Sequence, residues 1–513
     1  MSDIQEQKGH PKGLYVLFFT EMWERFSYYG MRAILMLFMT KLLMFDTKIA
    51  SGIYGNFTAM VYLTPLIGGF ISDRYWGNRR SIMVGGITMA IGQFILFFCA
   101  SIVSTNASLA LTLFVIGLTT LVIGNGLFKP NISTLVNQLY AKGDKRVDAA
   151  FTIFYMGINL GALFSPLICG TLAEKIDFRW GFFAAGIGML SGLIVFQLLK
   201  NKYIVNSDGE KIGGKPKIAE KSAESATGQA DVAKPAFSPV RIILWLVVYA
   251  LLWYVFMTFV GFNWISTMVF ATSLAASGFI ITDPLLTKVE RQRIVVIYVA
   301  AFFVVFFWSA FEQAGASLTV FADKQTERSI FGFEVPASWF QSVNPLAIIL
   351  FAPMFATLWV ALGKKNAEPA SPVKQALGLF LLSIGYLVIA IGVRGVDGNV
   401  KASMFWLIGM YIIHTFGELC LSPIGLSMVA RLAPVRLASL LMGVWFLANA
   451  MANDFAGKFS QLYPEGGKAT MFFGFKIATL NDFFMIFVIL AGSAAVILMI
   501  LSKWMLKMMN GLR

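Results

Sequence analysis

The sequence predicts an all-α integral membrane protein of fourteen helices, two sets of six with an inserted pair between them. Three observations carry that reading. Hydrophobic residues make up 58% of the 513 and charged residues only 13%, a balance that soluble domains do not show. The apolar residues fall into stretches of roughly twenty or more, the length a bilayer requires. The basic residues behind the net charge of +14 sit mostly in loops between those stretches, the positive-inside pattern and not a nucleic-acid footprint.

Taken in order, residues 1–13 read as a polar tail with Lys8, His10 and Lys12. The first apolar stretch runs from Leu14 to about Leu43, too long and too charged inside for a cleavable signal. A second span covers 50–72, with Pro65 and Gly68-Gly69 near its end, and a loop from Asp73-Arg74 to Arg79-Arg80 follows. Spans near 81–101 and 108–140 come next, the latter interrupted by Gly124, Gly126 and Pro130. After a basic loop with Lys142, Lys145 and Arg146, spans near 148–173 and 180–200 complete an N-terminal bundle, 14–200.

Residues 201–238 change character to Lys, Glu, Ser, Ala and Gly with almost no aromatics, which predicts a flexible polar linker. Stretches at 240–261 and 264–281 form an inserted pair within 239–282. A charged turn with Lys288, Glu290, Arg291 and Arg293 opens the C-terminal bundle, 283–513. Its spans lie near 294–322, 340–362, 374–394, 403–430, 436–457 and 480–508. The loops at Lys364-Lys365 and Arg431 to Arg436 are basic, as is the end with Lys503, Lys507 and Arg513. An even number of spans leaves both termini on one side, and the basic loops make that side, linker included, cytoplasmic. Two six-helix halves suit a secondary transporter that rocks one half against the other.

Cys99, Cys169 and Cys420 lie in apolar stretches and give neither a disulfide framework nor metal-ligand spacing. No nucleophile–base set, metal cluster or phosphate loop is evident, so the expectation is a non-enzyme without cofactors.

The chemistry concentrates in the first helix, whose residues 21–32 read EMWERFSYYGMR. Glu21, Glu24, Arg25, Tyr28, Tyr29 and Arg32 fall at i, i+3, i+4, i+7, i+8 and i+11, one face of a helix, with Met22, Trp23, Phe26 and Ala33 opposite. Each charge at a bilayer centre costs about 2.5–3.5 kcal/mol, so four are tolerable only if paired or facing a wet cavity. Glu21 and Arg25 can pair locally, while Arg32 needs a partner from another helix. A structural salt-bridge cluster is one reading; a proton or substrate site is the default for intramembrane ionisable groups.

Other polar residues interrupt later spans. Lys129 in GNGLFKPN (124–131) is either a snorkelling lysine or a buried cation. Asn159 in FTIFYMGINLGAL (151–163), with Tyr155 one turn earlier, is either inter-helix glue or a site residue. Glu312 in FFWSAFEQAGASL and Glu418 in HTFGELCLSP are each the one acid deep in their span. The first half thus carries cations and two acids, the second acids alone, and burial against nearby cations is the competition a proton-coupling carboxylate needs. His414, a turn before Glu418, reads as a packed residue.

The run Glu21-x-x-Glu24-Arg25-Phe26-x-Tyr28-Tyr29 resembles the first-helix signature of the proton-dependent oligopeptide transporters, the POT branch of the major facilitator superfamily. GGFISDRYWGNRR (68–80), GNGLFKPN, FTIFYMGINLGAL, FWSAFEQAG and GELCLSPIGL resemble further motifs of that family, in the right order from 14 to about 460. The inserted helix pair is similar to bacterial members. The resemblance implies a major-facilitator fold. It implies that Arg25, Tyr29 and Lys129 hold a peptide carboxylate and that Asn159, Asn344 and Glu418 hold its amino group. Tyr28, Tyr62, Tyr155, Trp308 and Trp445 would line the pocket. Glu21, Glu24, Arg25 and Glu312 would couple protons, and Arg32 with Glu312 and Lys129 with Glu418 would form gate pairs. Animal members carry a histidine where this chain has Gly55, so a histidine-based proton route is not expected.

The reading is a proton-coupled symporter that imports di- and tripeptides, with peptide-like drugs as further candidate substrates, across a bacterial inner membrane as a monomer, with protons as the driving force. A charge crossing 100 mV yields about 2.3 kcal/mol, which supports roughly 50-fold accumulation at one proton per peptide. A carrier for another anion such as nitrate, or a drug–proton antiporter, is the alternative; nitrate would leave Glu418 without purpose.

Overall fold

The computed structural model describes residues 9–141, 144, 146–206, 209–215, 238–396, 400–465 and 469–511. The tail up to Lys8, Lys142, Lys145, Arg513 and positions 216–237 of the linker lie outside the described residues, as do the side chains of 422–424 and 426.

Among the described residues there are fourteen long helices. They are α1 (Lys12–Leu37), α2 (Thr47–Ile71), α3 (Asn78–Ile102), α4 (Ala107–Gln138), α5 (Val147–Ser165), α6 (Phe178–Tyr203) and α7 (Pro239–Val255). After these come α8 (Trp264–Ile281), α9 (Lys288–Phe311), α10 (Val343–Lys364), α11 (Ser371–Gly392), α12 (Met404–Leu432), α13 (Ala438–Ser460) and α14 (Leu480–Met508). Twelve, α3 to α14 with their flanking turns, are long and apolar enough to cross a membrane. The other two are α1, with its internal charges, and α2, diluted by Ser51, Gly52, Gly55 and Asn56.

The described residues divide into two compact units, one within Met1–Phe38 and Thr64–Thr227, the other within Met39–Leu63 and Gly228–Arg513. In the first unit α1 packs against α5 and α6, and α3 against α4 and α6. This places α1 inside the unit, so that Phe26 and Ala33 on its apolar face are as buried as its charges. In the second unit α11 packs against α12 and α14, α9 against α13, and α10 against α12. The inserted pair α7 and α8 pack on each other, and α8 also packs on α13, where Ser266 Oγ donates to Asp454 Oδ1 at 2.6 Å. By contrast α7 buries no residue, as expected of a helix whose remaining faces meet lipid.

Four details depart from the sequence expectation. The charged residues 288–293 are not a turn but the first turns of α9, because Thr287 and Glu290 form a capping box that satisfies the helix's free N–H groups. The span expected at 294–322 is broken by a 3-10 turn, Glu312–Gly315, before a short helix, Ser317–Lys324. The linker does not begin at 201. Residues up to Tyr203 continue α6, and the described residues after it hook back, with Val205 bridging Lys211 and Arg79 Nε donating to the Ile212 carbonyl at 2.6 Å. Two β-hairpins also stand between spans, where the sequence reading placed no element. Phe331-Gly332 and Phe473-Gly474 take positive φ (+50°, +81° and +46°, +83°), which gives each hairpin its two-residue turn.

Candidate functional site

In the first unit the site is built on α1. Glu21, Glu24, Arg25, Tyr28 and Arg32 are all buried, and Tyr29 is half-buried. Arg25 sits between two carboxylates: its Nε lies 3.0 Å from Glu21 Oε1, one turn back, and it also donates to Glu24. The guanidinium stands 5.6 Å from the centre of the Tyr28 ring and 6.0 Å from that of Tyr29, and Arg32 stands 5.5 Å from the Tyr29 ring. Rings so placed stabilise a desolvated cation through their quadrupole.

Neighbouring helices complete this group. Asn125 Nδ2 on α4 donates to Glu24 Oε1 at 3.3 Å. Half-buried Lys129, one turn further along α4, places a second positive charge close enough to act on both Glu21 and Glu24. On α5, Gly161 lets α1 come close: a Cβ there would lie 2.2 Å from the Met22 carbonyl oxygen and 3.0 Å from Arg25 Cβ. That contact fixes the base of the arginine. Asn159, two residues earlier, is buried but turns its Nδ2 back to the Tyr155 carbonyl at 2.9 Å, so its Oδ1 is the end left for other work. Tyr155 itself is exposed.

In the second unit the centre is Glu418 on α12. Asn344 Nδ2, at the start of α10, donates to Glu418 Oε2 at 2.8 Å and lies 2.9 Å from Thr415 Oγ1. Thr415 is in turn fixed by its own bond to the Tyr411 carbonyl at 2.8 Å. Buried Glu312 opens the 3-10 turn that ends α9, and its charge acts on Glu418. The break at Glu312 matters because a tighter turn changes the direction of the side chain relative to the helix it ends.

The aromatic residues expected to line a pocket are placed as follows. Trp308 is half-buried with its ring 5.2 Å from Phe311. Trp445 on α13 is buried against Gly425, where a Cβ would lie 2.2 Å from the indole. Tyr62 on α2 is half-buried and is grouped with the second unit. His414 is buried, hydrogen-bonded to the backbone of Leu382 and packed 4.7 Å from the Tyr386 ring, as a core histidine would be. Gly55 lies against Gly457, with room for no side chain: its Cβ would be 2.6 Å from the Gly457 Cα.

Two residues of the site were not singled out from the sequence, Asn125 and Thr415. Asn125 had a signal, being an amide one turn before Lys129 within the apolar middle of its helix. Thr415 had none, since threonine is common in membrane helices.

With this geometry in view, the comparisons with known proteins fall into line. The model of the POT family matches residues 79–474. The chain is 38% identical to the uncharacterized transporter YclF of Bacillus subtilis over 479 residues, which covers 91% of this chain and 90% of that protein. It is 36% identical to the peptide transporter YePEPT of Yersinia enterocolitica, covering 88% of this chain and 87% of the relative. A crystal structure of peptide transporter POT in complex with sulfate matches with a TM-score of 0.79 at 32% identity, covering 99% of this chain and 97% of that one.

Proposed function

Since this chain belongs to the POT family of transporters, we propose that it is a proton-coupled symporter importing di- and tripeptides across a bacterial inner membrane, with both termini cytoplasmic. The observation that carries the reading is the division of charge. The first unit offers Arg25 and Lys129 with carboxylates bound to the arginine, and the second offers Glu418 aimed by Asn344. A dipeptide is a zwitterion with its charges at a fixed separation. In this proposal its carboxylate is bound by Arg25, Tyr29 and Lys129, and its amino group by Glu418 with Asn344 and Asn159. Charge-assisted hydrogen bonds at each end give affinity. The aromatic residues Tyr28, Tyr62, Tyr155, Trp308 and Trp445 receive side chains of varied shape, so specificity is broad.

Protons supply the driving force with no bound cofactor. Glu21, Glu24 and Glu312 are the proposed proton carriers, and Arg25 is the group that trades between the carboxylates of α1 and the peptide carboxylate. Alternating access then makes and breaks the pairs Arg32–Glu312 and Lys129–Glu418.

The test is uptake of a labelled dialanine-type peptide into proteoliposomes under an inward proton gradient, with and without a protonophore, for wild type and Glu418→Gln. Concentrative uptake that the protonophore abolishes and the substitution weakens is the expected result. Folded protein that moves no peptide under any gradient would overturn the reading.

A further inference from the structure

Within the charged cluster of the first unit, α4 brings to Glu24 an amide, Asn125, beside the charge of Lys129. Asn125 is 1% exposed, and its Nδ2 donates to Glu24 Oε1 at 3.3 Å. Its Oδ1 is buried too and has no hydrogen-bond partner among the described residues. An acceptor left unpaired in a low-dielectric interior is costly, and the structure around it offers a reason for it to be kept.

We propose that Asn125 is a positioning residue that holds Glu24 in both of its protonation states by turning its amide over. This rests on the reading that Glu24 exchanges protons. The ionised carboxylate accepts only, and Arg25 and the Asn125 Nδ2 serve it as donors. When one Glu24 oxygen gains a proton it becomes a hydroxyl that must donate. Arg25 and Lys129, the cations that act on it, only donate and cannot receive that bond. Half a turn about the Asn125 Cβ–Cγ bond exchanges Nδ2 for Oδ1 at nearly the same point, and the O–H of Glu24 then donates to Oδ1. The added proton forms the O–H bond of Glu24 and is held between that oxygen and Oδ1, and the hydrogen bond from Nδ2 to the carboxylate is the one given up in exchange.

The remaining groups do not duplicate this. Glu21 is tied to Arg25 at 3.0 Å, the Tyr28 ring stands 5.6 Å from the Arg25 guanidinium and the Tyr29 ring 5.5 Å from that of Arg32, and Asn159 on α5 bonds the Tyr155 carbonyl. Lys129 lies one turn from Asn125 on the same face of α4, so a single helix presents to Glu24 both a fixed charge and a reversible dipole.

The test follows the Glu24 carboxyl band by infrared difference spectroscopy of the purified full-length protein across pH, with Glu24→Gln to assign the band, alongside peptide uptake. In Asn125→Leu, which has the same size and no polar atom, the protonated band moves to higher frequency. The midpoint of its titration moves by about one unit toward alkaline pH, because the lost bond to the carboxylate is the charge-assisted and stronger one. In Asn125→Asp, a second acid facing Glu24, the midpoint moves further the same way. The melting temperature and monodispersity of each purified variant report folding, and the aspartate variant keeps both even if the leucine variant is lost. A band and midpoint unchanged in the variants would overturn the assignment. A band that moves while wild-type vesicles take up no peptide would overturn the transport reading and leave this one standing. A wild type with no titrating Glu24 band would overturn this one alone.

Discussion

Asn344 Nδ2 stands 2.8 Å from Glu418 Oε2 and 2.9 Å from Thr415 Oγ1, so the first turn of α10 aims a carboxylate that belongs to α12. A hydrogen bond to a charged group contributes about 1.5–3 kcal/mol, which is roughly a 10- to 100-fold change in an equilibrium constant. Asn344→Ala is therefore expected to weaken peptide affinity about tenfold or more, and Glu418→Gln to weaken it further for peptides with a free amino group. Competition by an N-acetylated dipeptide checks this: it should inhibit wild type poorly and should not distinguish wild type from Glu418→Gln.

Arg25 is buried between Glu21 and Glu24, and removing one member of such a group leaves charge without compensation. Breaking a buried pair costs about 3–5 kcal/mol. Arg25→Met should therefore lower the yield of folded protein and its melting temperature. Arg25→Lys should restore folding but not proton-driven uptake, because a lysine cannot present separate N–H groups to two carboxylates in a fixed plane. Melting temperature and uptake measured on the same preparations separate the two effects.

At Gly55, where animal members of the family carry a histidine, the Gly457 backbone leaves no room for a Cβ. Gly55→His should destabilise the protein by about 1–3 kcal/mol through overpacking. Thermal unfolding of the detergent-purified variant should show the loss, and no gain of histidine-dependent transport should accompany it.

Arg79 holds the start of the linker, donating to the Ile212 carbonyl at 2.6 Å and to Asn201 Oδ1 at 3.0 Å, while its own N–H donates to the Gly213 carbonyl at 2.9 Å. Arg79→Ala should free this hook. Limited trypsin digestion is expected to cut after Lys211 several times faster in the variant than in wild type, with the melting temperature little changed.

Asp283 follows α8 and meets Arg436 at 2.6 Å. Burial pushes its carboxyl up, but the Leu285 N–H at 3.0 Å and the Arg436 guanidinium, with Arg241 further off, outweigh this and hold it below the ordinary carboxylate range. A depressed folded value stabilises the protein above the unfolded value of about 3.9, and the contribution is lost as pH falls through the folded one. Asp283→Asn should thus melt lower than wild type at pH 7. The gap should close as the pH is brought below about 4.

The sequence by itself determined the helices and nominated the candidate residues. Apolar length marked the spans, and ionisable residues inside them, from Glu21 to Glu418, marked the candidate site, because both signals are local and energetically large in a membrane. The Glu21–Arg25 pair was legible from a spacing of four, and the structure has it at 3.0 Å. The charged run at Lys288 to Arg293 was misread because charge marks solvent but does not distinguish a turn from a capped helix start.

What only the tertiary structure decided are the partners across helices. That Asn344 serves Glu418, that Asn125 serves Glu24, and that Gly161 admits Arg25 depend on which faces of α4, α5, α10 and α12 come together. Side chains 74 and 101 positions apart meet through packing of small residues and shape, and neither period nor composition encodes that register.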